Sequence, residues 1–177
     1  MRRVIVNLTG KQLKIIESAT SLFESKGYSA TGIDEIVKNA DVATMTLYRN
    51  FKSKDDLVLA VLKYREYNYL KCIKEASDIY SMLSNHFEWI EHNTKSGCLF
   101  LRAAEEYRNI NDQILKFVEN HKDKVLGQIM KYVETEKIAV EIMMILEGST
   151  SMVEYLPVEK VKVTSIYLMN KVIEDVS

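Results

Sequence analysis

The residue types best suited to recognition chemistry sit together between Thr31 and Lys54, in the run TGIDEIVKNADVATMTLYRNFKSK. Two short apolar-faced stretches flank a tight break at Ala40-Asp41-Val42. Two short helices joined by a turn of three or four residues form a helix-turn-helix. In that motif the second helix enters the major groove of duplex DNA and the first crosses the backbone. The groove admits one α-helix, whose early side chains meet base edges. Thr44, Met45 and Thr46 form the first turn of the second helix. The threonine hydroxyls can donate or accept, and Met45, unbranched and polarizable, suits a thymine methyl or a sugar. One turn on, the Tyr48 hydroxyl suits a phosphate, and the Arg49 fork suits guanine or phosphate. Asn50 closes that helix and is expected among the DNA contacts. Lys54 opens the next, where a cation beside free backbone N–H groups makes a phosphate clamp. Thr31 is expected to cap the first helix of the motif and to offer its hydroxyl or its N–H to phosphate.

No other constellation supports reactive chemistry. His86, His92 and His121 share no ligand spacing, so no metal is expected. Two cysteines, Cys72 and Cys98, cannot build a disulfide framework or a four-ligand zinc site. Glu105 and Glu106, adjacent in sequence, cannot share a helix face as a carboxylate dyad. There is no Gly-rich phosphate loop and no nucleophile elbow. The chain is therefore expected to be neither an enzyme nor a cofactor carrier.

The elements that hold these residues read as helices throughout. Thr9 with Gln12 makes a capping box before Ile15/Ile16, Ala19 and Leu22/Phe23, and Gly27 follows Lys26 as a stop. This predicts a helix over about 10–26. Thr31 with Asp34 predicts a second over about 32–39, and Leu47 with Phe51 a third over about 44–50. Ser53 with Asp56 opens a long fourth helix to about 78. Further helices are predicted near about 81–93, 98–108, 111–133, 136–153 and 158–176.

Composition agrees. The chain has 177 residues, 47% hydrophobic and 28% charged, with six Gly and one Pro. That is enough to bury a core, and too few turn formers for an all-β fold. Charge is uneven: residues 1–64 carry ten Lys+Arg against seven Asp+Glu, and residues 65–177 carry fourteen against eighteen. A basic N-terminal part is compatible with a polyanion there. No apolar leader follows Met1-Arg2-Arg3, and no run is long enough to span a bilayer. With cysteine so sparse, the expected location is the cytoplasm, with no membrane partner.

Residues 15–62 resemble the TetR family of bacterial transcriptional regulators. The resemblance rests on Ala19, Leu22-Phe23, Gly27-Tyr28, Thr31, Ile33, Ile36, Ala40, Val42, Thr46-Leu47-Tyr48, Phe51, Ser53-Lys54 and Leu57, which fall at the family's spacing without a gap. Gly97-Cys98-Leu99-Phe100, Glu106 and Leu146-Glu147-Gly148 resemble later parts of the family pattern. The chain departs from it at Asp41, where the family has Gly in the turn, at Ala43, where it has a capping Ser or Thr, and at Met45, where it has a small residue.

The resemblance implies an all-α chain of about nine helices. Its parts would be a three-helix helix-turn-helix domain over 1–52 and a helical effector-binding and dimerisation domain over 53–177. It implies a homodimer that binds a pseudo-palindromic DNA operator and is released by a small, mostly apolar effector. Tyr67, Trp89, Phe100, Tyr107, Phe117 and Met144 are then expected to line the effector pocket. Ile142, Leu146, Ser149, Val153, Ile166, Met169 and Ile173 are expected at the dimer interface. The alternatives are an activator or structural DNA-binding protein without ligand control, and a helical small-molecule carrier that has lost DNA binding.

Overall fold

The computed structural model describes residues 8–93 and 97–174. Among these residues there are nine helices and no strand, as the sequence predicts. They are α1 Gly10–Lys26, α2 Ile33–Asn39, α3 Thr44–Asn50, α4 Lys54–Lys74, α5 Ile79–Asn93, α6 Leu99–Glu106, α7 Asp112–Ile129, α8 Glu136–Met152 and α9 Val158–Glu174. The expected end of α9 near 176 lies outside the described residues. No helix among them is long and apolar enough to cross a membrane.

By packing, the chain divides into two compact units. One comprises residues up to Asn68 together with Leu99–Val118, and the other Tyr69–Cys98 with the residues from Glu119 onward. α4 and α7 each contribute residues to both.

In the first unit, α1 begins at the predicted capping box: the Gln12 N–H donates to the Thr9 hydroxyl, and Gln12 accepts from the Thr9 N–H at 2.9 Å. Its inner stripe, Ile15, Ile16, Ala19 and Phe23, is buried with Tyr28, Ile36, Leu47, Leu57 and Val61. α1 stops at Gly27, which has φ 87°. That conformation favours glycine. A Cβ there would also lie 2.7 Å from the Glu106 carboxylate. Glu106 accepts from the backbone N–H groups of Tyr28 (2.9 Å) and Ser29 (2.6 Å). Burial pushes the Glu106 carboxyl up, but the hydrogen bonds from Ser29 and Tyr28 and the nearby Arg102 charge outweigh it, and it sits below its usual range. Arg102 donates to the carbonyls of Phe23 and Glu24 at 3.0 and 2.8 Å, satisfying the open end of α1. α6 is thus fastened to the end of α1.

In the second unit, Ile73, Met82, Phe87, Ile90, Val125, Ile129, Ile142, Leu146 and Met169 form a buried apolar cluster. A polar ladder runs beside it. The hydroxyls of Ser149 and Thr150 both donate to the Leu146 carbonyl, at 2.8 and 3.0 Å. The His86 Nε2 lies 3.1 Å from that carbonyl and 2.9 Å from the Ser149 oxygen. A carbonyl only accepts, so Nε2 carries the proton, and Nδ1 is left to accept from the Tyr69 hydroxyl at 2.9 Å. Burial holds His86 down, at about 4, so the ring is neutral, and burial raises Tyr69 well above its ordinary value.

Two predicted boundaries shift by about a full turn. α4 ends at Lys74 rather than near 78, because Asp78 caps a new helix: its carboxylate accepts from the Ser81 N–H at 2.7 Å while its own N–H donates to the Ser81 hydroxyl at 3.0 Å. α7 ends at Ile129 rather than near 133, where Lys131 and Tyr132 turn back through N–H donation to Gln128 and Ile129.

Candidate nucleic-acid interface

The turn between α2 and α3 is built as its sequence requires. Asp41 takes φ 53°, a left-handed conformation that Asp and Asn tolerate better than most residues. The Val42 N–H donates back to the Val37 carbonyl at 3.0 Å, closing α2. Ala43 is the N-cap of α3 and offers no side-chain hydrogen bond, so Thr44 is the first helical residue and its hydroxyl is not spent on capping. Leu47 is fully buried and Phe51 nearly so, which seats α3 on the core.

With α3 held by Leu47, helical rotation of about 100° per residue sends Met45 and Arg49 almost directly away from the core. Met45 is 67% exposed, and Thr44, Tyr48 and Arg49 are exposed beside it. Thr46 and Asn50 are half-buried on one flank, and the Asn50 amide donates to the Thr46 carbonyl at 2.7 Å. Lys54 is half-buried in the first turn of α4, next to Ser53, whose hydroxyl accepts from the Asp56 N–H at 3.1 Å. The structure therefore gathers Thr44, Met45, Tyr48 and Arg49 on one outward face, with Thr46 and Asn50 at its edge.

Thr31 is a correction. The N-cap of α2 is Gly32, with no side-chain cap. Thr31 is 1% exposed and its hydroxyl donates to the Gly27 carbonyl at 2.7 Å, so it closes the end of α1 and turns away from any phosphate. Its N–H is directed at the Tyr28 carbonyl, at 3.3 Å.

The residues expected to line an effector pocket are distributed over both packing units. Phe100, Tyr107 and Phe117 are buried in the first unit, and Tyr67 is exposed on α4. Trp89 lies in the second unit with its ring 5.6 Å from that of Tyr69. Met144, 69% exposed, lines an open groove of about 870 Å³ between α8 and α9 that holds none of the other five.

The residues expected at a dimer interface also divide. Ile142, Leu146, Ser149 and Met169 are buried inside the second unit, Val153 and Ile173 are half-buried, and Ile166 is exposed. The first four therefore serve the interior, not a surface. The open apolar face of α8 and α9 consists instead of Met144, Gly148, Met152, Thr164 and Leu168. Sequence reasoning placed Met144 elsewhere and settled on Ser149, Val153 and Met169, each one position from the open residues Gly148, Met152 and Leu168. α8 is apolar almost all round, so periodicity does not say which stripe faces inward.

Fold and reading face together define a helix-turn-helix protein. The family model described as bacterial regulatory proteins, tetR family, matches residues 15–61. The HTH-type transcriptional regulator YuxN of Bacillus subtilis (strain 168) is 28% identical over 155 residues, which are 78% of this chain and 52% of that protein. The chain thus spans about half the length of that relative. The crystal structure of SCO4454, a TetR-family transcriptional regulator from Streptomyces coelicolor, superposes with a TM-score of 0.84 at 24% identity, over 94% of this chain and 96% of that one. The multidrug binding protein EbrR, solved with malachite green, has a TM-score of 0.74 at 14% identity, over 93% of this chain and 98% of that one. The match to the tetR-family model is confined to residues 15–61, and over most of its length the chain is similar to TetR-type regulators and their fold.

Proposed function

We propose that this protein is a homodimeric DNA-binding transcriptional regulator, a repressor that leaves its operator when a small, mostly apolar effector binds. It acts by binding rather than by catalysis, and in the cytoplasm, where its DNA is. The observation that carries the reading is the outward face of α3, where Thr44, Met45, Tyr48 and Arg49 stand exposed on a helix anchored by Leu47. One cation on that face and Lys54 beside it suit a polyanion, and Tyr48 adds a hydroxyl for phosphate.

A second copy is the proposed occupant of the α8–α9 groove, whose open residues Met144, Met152 and Leu168 are large and apolar. Dimerisation there places two reading helices for two half-sites, about 34–36 Å apart or a multiple of it, on a pseudo-palindrome. Effector control is supported by the likeness to EbrR, which was solved with malachite green. α4 is continuous from Lys54 to Lys74 and gives effector and DNA a shared element, so that each weakens the other's binding reciprocally.

Fluorescence polarisation with labelled duplexes from upstream of the protein's own gene tests the reading. Tight binding to one fragment over the others, reversed by a small, mostly apolar aromatic compound, is the expected result. Equal weak binding to every fragment, unaffected by such compounds, overturns it.

A further inference from the structure

The outward face of α3 has an uneven chemistry. Its two most protruding residues are Met45 and Arg49, four apart and therefore stacked one turn over the other. Arg49 offers a fork of donors. Met45 offers no hydrogen bond of any useful strength, yet it is the side chain most fully turned out of the core in the first turn, at 67% exposure. Thr44, its neighbour, lies to one side, and Thr46 is half-buried. A large apolar side chain is held mostly in water at that point, and the fold does not require it: the N-cap, the turn and the Leu47 anchor are made without it.

Resting on the DNA-binding reading above, we infer that Met45 reads a thymine by its C5-methyl group, one or two base pairs from a guanine taken by Arg49. The major groove presents one apolar feature on natural bases, the thymine methyl, and guanine presents the paired acceptors O6 and N7 that match an arginine fork. One helical turn advances about 5.4 Å, and successive base pairs are about 3.4 Å apart, so residues four apart address positions one to two pairs apart. The half-site is thus expected to contain a guanine and a thymine at that separation. The thymine would be recognised by the burial of its methyl and not by its O4.

The test uses the full chain and a randomised duplex library. Duplexes are selected with the wild-type protein. Each thymine of the enriched half-site is then replaced singly by deoxyuridine, which lacks only the methyl. Burial of one methyl predicts that deoxyuridine at one position weakens wild-type binding about 3- to 5-fold. That position should lie within two pairs of an enriched guanine. Met45→Ala, at an exposed site, should keep its melting temperature, bind the thymine duplex more weakly, and no longer distinguish thymine from deoxyuridine there. Equal wild-type affinity for thymine and deoxyuridine at every position overturns the inference, as does Met45→Ala that still discriminates. Failure of the wild-type protein to enrich any duplex is a different result: it overturns the DNA-binding reading and the inference with it.

Discussion

A side chain's neighbours decide its role, and several neighbours here are remote in sequence. Thr31 sits where a cap for α2 is expected, but the carbonyl of Gly27 is nearer and takes its hydroxyl. Ser149 sits at helical spacing among apolar residues, yet it faces inward because His86, sixty-three positions earlier, needs a polar environment. Spacing gives the face of a helix; it does not give the partner. By contrast Leu47, Phe51, Ile33 and Ile36 are legible as the inner side of the reading motif, and all four are buried or half-buried. The His86 ladder has a testable consequence. Its ordinary value of 6.5 falls to about 4 in the fold, chiefly through burial, so the folded chain resists protonation that the unfolded chain accepts. Stability is therefore fully present above pH 6.5 and is lost as pH falls toward 4, by about 3 kcal/mol. Urea midpoints measured from pH 7 to pH 4.5 should fall with acid, and more steeply than in His86→Gln. Parallel slopes for the two proteins would show that His86 does not govern the loss.

Helix ends were legible where local chemistry sets them. The Thr9–Gln12 and Ser53–Asp56 pairs open α1 and α4 as expected, because capping partners lie within one turn. The break after Lys74 was available from Asp78 and Ser81 by the same logic, but the apolar stripe running through it concealed the stop. Which face of α8 looks outward was not legible, since that choice is made by α5, α9 and a proposed second copy together. The distinction can be tested at adjacent residues. Gly148 is exposed and a Cβ there meets nothing within 4 Å, so Gly148→Arg should leave the fold intact while placing a long cation in the proposed interface. Sedimentation should show a dimer for the wild type and a monomer for Gly148→Arg, with circular dichroism unchanged. Ser149→Arg, at 2% exposure beside His86, should instead lose helicity and melt early, because a buried unpaired charge is costly. A dimeric Gly148→Arg would move the interface to another face.

For the molecule as a whole, the all-α class and the reading motif were visible in the sequence, and the packing units were not. Leu99–Val118 joins the N-terminal residues through contacts such as Glu106 with Tyr28 and Arg102 with Phe23, which no local pattern announces. The charge gradient was visible and is weak by itself, with a net +3 over residues 1–64. Its meaning depends on where the cations stand. The central claim is that α3 and the start of α4 form a surface for duplex DNA, and the salt dependence of binding tests it most directly. For a selected duplex, log affinity plotted against log salt should be linear and negative. Lys54→Ala should weaken binding to all sequences about equally and flatten that slope by roughly 0.9, the value of one phosphate contact. An unchanged affinity and slope in Lys54→Ala, with the wild type binding DNA tightly, would contradict the placement of the clamp.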